Sequence, residues 1–311
     1  MHDLLYHAYG LRIQDEASYF GRKSYTDGDC LYFIICVKKK EILYIEQCML
    51  AQYLREQGLN QVALPIRNKN DSLFTKTSKM HYIVFKLPYM NEIQPSIVHQ
   101  NLASFHQKSQ TFPYEPRYLN YYGFWSTLWM DQLTTIERQI QKQKECTNSI
   151  VWQRITNILP YMISLSEYAI QLMAEAEKEN KFDMTDRPAI CFERYQDQLQ
   201  TPIILPSDLV YDHPIRDVGE WIRYKLLQNP TIEGVEISEW IQHYQTMQPL
   251  SILGIRMLYA RLLYPLHFWD FCSWMISLPE CDLCVEVVER FIARHDSYLR
   301  RVTEFFRNKL K

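Results

Sequence analysis

The chain has 311 residues, with 34 Lys+Arg against 36 Asp+Glu and a formal net charge of -2. It holds only 8 Gly, where average usage would give about 22. With no G-x-G-x-x-G, G-x-x-x-x-G-K-[ST] or G-x-S-x-G pattern, the glycine-rich phosphate cradles and the nucleophile elbow are excluded, as are collagenous and low-complexity classes. The charge balance gives no reason to expect nucleic acid. Hydrophobic content of 47% and charged content of 23% fit a globular chain that splits its core between two lobes. The longest apolar stretch, 252–274, carries Arg256, Arg261, His267 and Asp270, so no membrane span is expected. The first 16 residues show neither a basic n-region nor a long apolar h-region, and no secretory signal is expected. The 8 scattered Cys suit a reducing compartment.

Residues 18–25 and 30–37 are β-prone and joined by Thr26-Asp27-Gly28-Asp29, a hairpin signal. A helix follows over 40–57, with Ile42, Ile45, Met49 and Tyr53 at helical spacing and Gly58 as its stop. Strands are expected at 61–66, 71–77 and 81–87. Residues 88–95 hold two prolines and no periodicity, which predicts a connector. Helical patterns then occupy 96–110, 124–143, 149–180, 216–227, 238–246, 251–264 and 281–308, with Pro160 and Pro265 as breaks or kinks. One irregular stretch, 182–214, contains two short apolar pieces, 189–191 and 202–205, that read as small strands. The fold class expected is α+β and bilobal: a β-rich lobe over 1–88 with one helix, a hinge at 89–95, and a helical lobe over 96–311.

This layout is that of protein-kinase-like folds, shared by the aminoglycoside and choline phosphotransferases. Five segments resemble one branch, the kinase-like spore coat proteins of the coat protein S and YutH group. Leu102-Ala103-Ser104-Phe105-His106 is similar to that group's L-A-x-x-H helix, and Gly123-Phe124-Trp125-Ser126-Thr127-Leu128-Trp129 to its Trp-centred helix start. Ile190-Cys191-Phe192-Glu193-Arg194-Tyr195 stands where the group has I-C-H-G-D-Y. Asp212-His213-Pro214-Ile215-Arg216-Asp217-Val218 resembles the stretch after its I-D-F-D motif, and Leu263-Tyr264-Pro265-Leu266-His267-Phe268-Trp269 its L-x-F-P-x-x-F segment. Together these matches span about residues 35–270 in the family's order.

The resemblance implies a phosphotransferase frame, whose chemistry needs a carboxylate base, Asn and Asp ligands for Mg²⁺, and a strand Lys on the phosphates. The catalytic Asp falls on Arg194, a permanent cation with no acceptor. The loop His and Gly fall on Phe192 and Glu193. The metal Asn falls on Leu199 and the metal Asp on Pro206, neither of which offers a side-chain oxygen. The strand 30–37 has no Lys, and Lys38 follows at its end. The degenerate catalytic loop therefore spans 190–208, with Asp208 its residual candidate. Asp208 could hold a cation with Glu193 or Asp197, or form an ion pair with Arg194. No catalytic, metal-binding or cofactor-binding residue is assigned, and no cofactor is expected.

Other signals have ordinary explanations beside the functional ones. Cys281-Asp282-Leu283-Cys284 is a single C-x-x-C with no second pair nearby, so packed thiols outweigh a zinc or redox site. His99 and His106, seven apart on one helix, suit packing better than one metal. In the last helix Val288, Phe291, Tyr298, Val302 and Phe305 form a core stripe, and Arg290, Arg294, Arg300, Arg301 and Arg307 a basic face, either solvated or able to dock an acidic partner. Lys38-Lys39-Lys40 has the same two readings. Tyr114, Tyr118, Tyr121 and Tyr122 cluster before the Trp-bearing helix, where they could pack, form an interface or be cross-linked oxidatively.

The expectation is a catalytically inactive kinase-like protein of the bacterial spore coat, made in the mother-cell cytoplasm and bound to other coat proteins. Neither nucleic acid nor a membrane is expected as a partner. The competing readings are a small-molecule or protein kinase using rearranged groups (Asp208, Asp197, Glu193, Lys38), and a nucleotide- or metabolite-binding module without chemistry.

Overall fold

The computed structural model describes residues 1–19, 21–78, 80–88, 101–146, 149–178, 183–229, 232, 234–279 and 284–309. The chain divides into two compact units. The first takes Met1–Asn120 and Ala189–Tyr211; the second takes Tyr121–Pro188 and Asp212–Lys311. The segment 89–95, expected as a hinge, lies outside the described residues.

The first unit opens with a short helix, α1 (His2–Leu4), continued by a π-turn at Leu5–Tyr9. Its main sheet holds β1 (Asp15–Tyr19), β2 (Arg22–Thr26), β3 (Cys30–Cys36), β4 (Leu64–Ile66), β5 (Phe74–Lys76) and β6 (His81–Pro88). Strand order is β1-β2-β3-β6-β4, with β5 also paired to β6. The residues 18–25, expected as one strand, are two, because the chain reverses at Gly21. Its φ of 73° is a left-handed conformation that glycine adopts without strain. The hairpin at 26–29 forms as expected, with Tyr25 opposite Tyr32.

β3 and β6 pair from Cys30↔Pro88 to Cys36↔Tyr82 and are buried on both faces. Period-two alternation sorts their side chains. Leu31, Phe33, Ile83, Phe85 and Leu87 face α2 (Glu41–Glu56), packing on its Tyr44 and Cys48. Tyr32 and Val84 face the other way, where Leu5 of the opening turn covers them. The helix α3 (Leu102–Ser109) is capped by Asn101, whose side chain accepts from the Ala103 N–H at 2.9 Å. The first five residues of the helix expected at 96–110 lie outside the described residues.

A buried carboxylate fixes the loop after α3. Glu46 of α2 accepts from the backbone N–H groups of Arg117, Tyr118 and Leu119 at 2.8, 2.9 and 2.9 Å. Three charge-assisted bonds to one side chain leave the loop backbone few alternatives. The second sheet, β7 (Ala189–Phe192) with β8 (Leu209–Asp212), completes the unit. The strand expected at 202–205 is instead a loop that touches Val62 through a single bridge at Ile204. Pro202 and Pro206 flank that piece and withhold two ladder donors.

The second unit is helical: α4 (Trp125–Cys146), α5 (Ile150–Lys178), α6 (Ile215–Gln228), α7 (Gly234–Met247), α8 (Ile252–Leu263), α9 (Leu266–Ser277) and α10 (Val285–Lys309). Trp125, Trp129, Leu133, Ile136 and Ile140 form the buried stripe of α4. Pro160, expected to break its helix, lies inside an unbroken α5. It sits on the exposed side, where the carbonyl left without its N–H partner can meet water. Pro265 does end α8 and starts α9. α9 itself has no counterpart in the expected helices: its first seven residues are mostly apolar, and its exposed side, Asp270, Ser273, Trp274 and Ser277, shows its helical spacing only over the full length.

Between α9 and α10, His267 Nε2 and His295 Nδ1 lie 2.9 Å apart. His267 Nδ1 and His295 Nε2 are buried without a partner. Burial holds His267 well below the usual imidazole range, aided by His295, and pushes His295 down to about 4. Both rings are therefore neutral when folded and titrate near 6.5 when unfolded. Below that value the unfolded chain binds more protons, so acid favours unfolding.

Two outcomes are expected. Between pH 7 and pH 5, urea melts of the second unit should lose about 2 kcal/mol per histidine, and His295→Leu should flatten that slope by about one proton. Glu46→Ala should cost about 2–4 kcal/mol and speed amide exchange at residues 117–119, with Glu46→Gln intermediate on both measures.

Candidate functional site

The segment 189–211 belongs to the first unit and carries the positions that the resemblance marks. β7 is buried throughout and delivers Phe192 into the core. The Phe192 ring lies 5.3 Å from Phe105 and 5.3 Å from Tyr195. Glu193 is exposed, and its N–H donates to the Asp208 carbonyl at 2.8 Å. Arg194 is half-buried, with Nη1 donating to the Glu193 carbonyl at 3.2 Å. Asp197 takes a left-handed conformation, φ 63°, ahead of a short turn that buries Leu199. Pro206 is buried at the start of a second turn, Pro206–Asp208.

The Asp208 carboxylate is held by a side-chain cation. That cation is Arg22, not Arg194. Arg22 Nη2 donates to both carboxylate oxygens of Asp208, at 2.6 and 2.8 Å. Arg22 is the first residue of β2, directly after the Gly21 turn. Gln47 of α2 braces the same segment, donating to the carbonyls of Ser207 and Leu209 at 3.2 and 3.4 Å. Burial raises the Asp208 carboxyl above the usual carboxylate range, and the Arg22 guanidinium pulls against that rise. The Asp208 side chain is 23% exposed and that of Arg22 44%, so water screens part of the attraction.

These residues do not fit a Mg²⁺–nucleotide. Magnesium needs several oxygen ligands close to octahedral. Leu199 and Pro206 supply none, and the Asp208 oxygens already accept from a fixed guanidinium. Lys38 lies exposed beyond the end of β3, while the Asp208 carboxylate accepts from Arg22 and Ser207. In kinases the first hairpin lays glycines over the phosphates. Here the β1–β2 turn presents Gly21 and then an arginine that reaches an acid.

Among the other sequence signals, His106 is fully buried on α3, while His99 lies outside the described residues. Cys284 is exposed and donates to Glu286 at 2.7 Å, and its expected partner Cys281 lies outside them too. Tyr114 and Tyr118 of the first unit are exposed. Tyr121 and Tyr122 of the second are half-buried, against Arg216 and His213. Sequence reasoning missed Arg22, Glu46 and Gln47. Arg22 carried one faint signal, its place beside a turn glycine in the first hairpin; a carboxylate or amide within a helix carries none.

Comparison with known proteins matches this frame. The family model described as "Spore coat putative kinase YutH" covers residues 2–305. The endospore coat-associated protein YutH of Bacillus subtilis (strain 168) is 27% identical over 310 residues, covering 96% of this chain and 91% of its own length. An aminoglycoside phosphotransferase from Alicyclobacillus acidocaldarius superposes with a TM-score of 0.62 at 11% identity, covering 97% of this chain and 94% of that one. A microcompartment-associated aminopropanol kinase gives 0.55 at 13%, covering 99% and 97%. The protein has a kinase-like fold, and no helix among the described residues is long and apolar enough to cross a membrane. With the family model spanning nearly the whole chain, this protein belongs to the YutH family of kinase-like spore coat proteins.

Proposed function

We propose that this protein is a pseudokinase: a kinase-like frame that has given up phosphoryl transfer and serves as a structural and binding component of the spore coat. It is made in the mother-cell cytoplasm and incorporated with other coat proteins as partners. The observation that carries the reading is the two-oxygen grip of Arg22 on Asp208, at 2.6 and 2.8 Å. A phosphotransferase places an exchangeable metal against its loop carboxylates. A guanidinium on the chain supplies the same sign of charge and occupies both carboxylate oxygens where a metal would bind.

The replaced positions support the same conclusion independently. Arg194 cannot accept a proton from a hydroxyl. Leu199 and Pro206 cannot ligate a metal. Phe192 is committed to packing between Phe105 and Tyr195.

Calorimetry and thermal-shift measurements with ATP, with and without Mg²⁺, should be flat. Turnover of Mg²⁺–ATP against a defined acceptor would overturn the reading, and a metal-independent shift would make the protein a nucleotide-binding module. Arg22→Ala should raise the Asp208 carboxyl further, read by NMR titration, because burial then acts unopposed. The variant should gain no phosphotransferase activity, since Arg194, Leu199 and Pro206 remain.

A further inference from the structure

We propose that the outward face of α2, with the loop 112–118 beside it, docks an acidic amphipathic helix of another protein. The proposal deepens the coat-component reading and rests on it only for the existence of a protein partner.

α2 is apolar on two sides. Its inner side buries Tyr44, Cys48, Leu50, Ala51 and Leu54. Its outer side carries Ile42, Ile45, Met49 and Tyr53, the helical stripe evident in the sequence. Ile42 is 36% exposed and Met49 42%, with Ile45 and Tyr53 half-buried. Packing a helix on one sheet needs a single apolar face, so the second stripe calls for another partner.

The loop extends this stripe. At about 100° per residue, Ile42, Met49 and Tyr53 all lie within roughly 60° of Glu46 around the helix. Glu46 is the residue that holds the amides of 117–119, so the loop runs alongside them. Ring contacts continue the surface: Tyr53 to Phe112 at 5.1 Å and Phe112 to Tyr114 at 5.8 Å. Tyr114 is 61% exposed and Tyr118 47%. Large aromatic side chains on a backbone already fixed lose little freedom on binding, which is the composition of an interface anchor.

Charge selects the occupant. Lys38, Lys39 and Lys40 are exposed at one end of the stripe, Arg117 lies in the loop, and Lys108 is at the far end, where its carbonyl accepts from Tyr53. Lys40 Nζ sits 5.9 Å from the Tyr118 ring. The acids nearby are already partnered: Glu41 with His81 and Lys76, Glu56 with Gln52, and Glu115 with Asn120. Three lysines before the first turn of a helix oppose its dipole, a placement that helix stability does not favour. An apolar stripe with a basic rim matches a helix with an apolar stripe and an acidic rim. A second copy of this chain would bring the same basic rim, which argues against self-association.

The probe is a fluorescein-labelled 18-residue helix with Leu at helical spacing and Glu elsewhere, followed by anisotropy; its control replaces every Glu by Lys. The acidic peptide should bind at least tenfold tighter than the basic one. Met49→Asp and the triple variant Lys38→Glu, Lys39→Glu, Lys40→Glu should each weaken it at least tenfold, while Arg307→Glu on α10 leaves it unchanged. These side chains are exposed, so unchanged melting temperatures should show that the variants fold. Equal binding of both peptides, no binding of the acidic one, or binding unaffected by the α2 variants would overturn the proposal. A dimer lost on Met49→Asp would also overturn it by assigning the face to a second copy. Protein that ignores both Mg²⁺–ATP and the peptide loses this proposal and keeps the coat-component reading.

Discussion

A carboxylate removed from water must be met by fixed positive charge or by several hydrogen-bond donors. Each unit of this protein is arranged around that constraint. In the first, Arg22 meets Asp208 and three backbone amides meet Glu46. In the second, Asp212 accepts from the Trp125 indole at 2.7 Å and from Arg216 at 2.6 Å. Glu220, also buried, is paired with Arg223 at 2.6 Å and Arg261 at 2.8 Å. All of these cations and donors are part of the chain.

The same constraint gives the scarce glycines their place. Gly21 turns the chain into Arg22, so the conformation that glycine adopts readily delivers the guanidinium to Asp208. Gly219 stands where α6 meets α8: a Cβ there would come within 3.1 Å of the Arg261 side chain. That arginine is fully enclosed, stacked 4.4 Å from Trp125, and held by burial down to about 10. A bulkier residue at 219 would push a buried charge off its partner Glu220, so the glycine protects an electrostatic arrangement through packing.

Much of the frame was legible because it rests on period and punctuation. The 26–29 turn, the helix ended by Gly58, the long helices and the stop at Pro265 all follow local rules. The misses follow from effects those rules do not contain. α9 was missed because its exposed side, Asp270, Ser273, Trp274 and Ser277, includes a Trp and is flanked by aromatic residues, which blurs the polar repeat. Pro160 stayed helical because its lost bond faces water. The 202–205 piece looked like a strand by composition, yet Leu209–Asp212 took the place beside β7. At the site, the side chains of Arg194, Leu199 and Pro206 could be read in the sequence, and none offers a carboxylate or a metal-binding oxygen. The Arg22–Asp208 pair could not. Arg22 is 186 residues from Asp208, and no local pattern says that a guanidinium after a turn will find a particular acid.

The α2 stripe shows a second limit of pattern reading. Ile42, Ile45, Met49 and Tyr53 form the clearer helical repeat in the sequence, yet the core lies under Tyr44, Cys48, Leu50, Ala51 and Leu54. Periodicity reports that a helix has an apolar face; it does not say what covers that face. Ile42 and Met49, the exposed members of this stripe, could have been polar at little cost to packing. Retaining branched and sulfur side chains there, with lysines at the wrong end of the dipole, works against solubility and helix stability at once. Two local choices that oppose the fold, on one surface and beside a backbone fixed by three charge-assisted bonds, have a common explanation in binding. Such a binding role sits on the outer surface of the kinase-like frame and does not depend on the chemistry of the 189–211 segment.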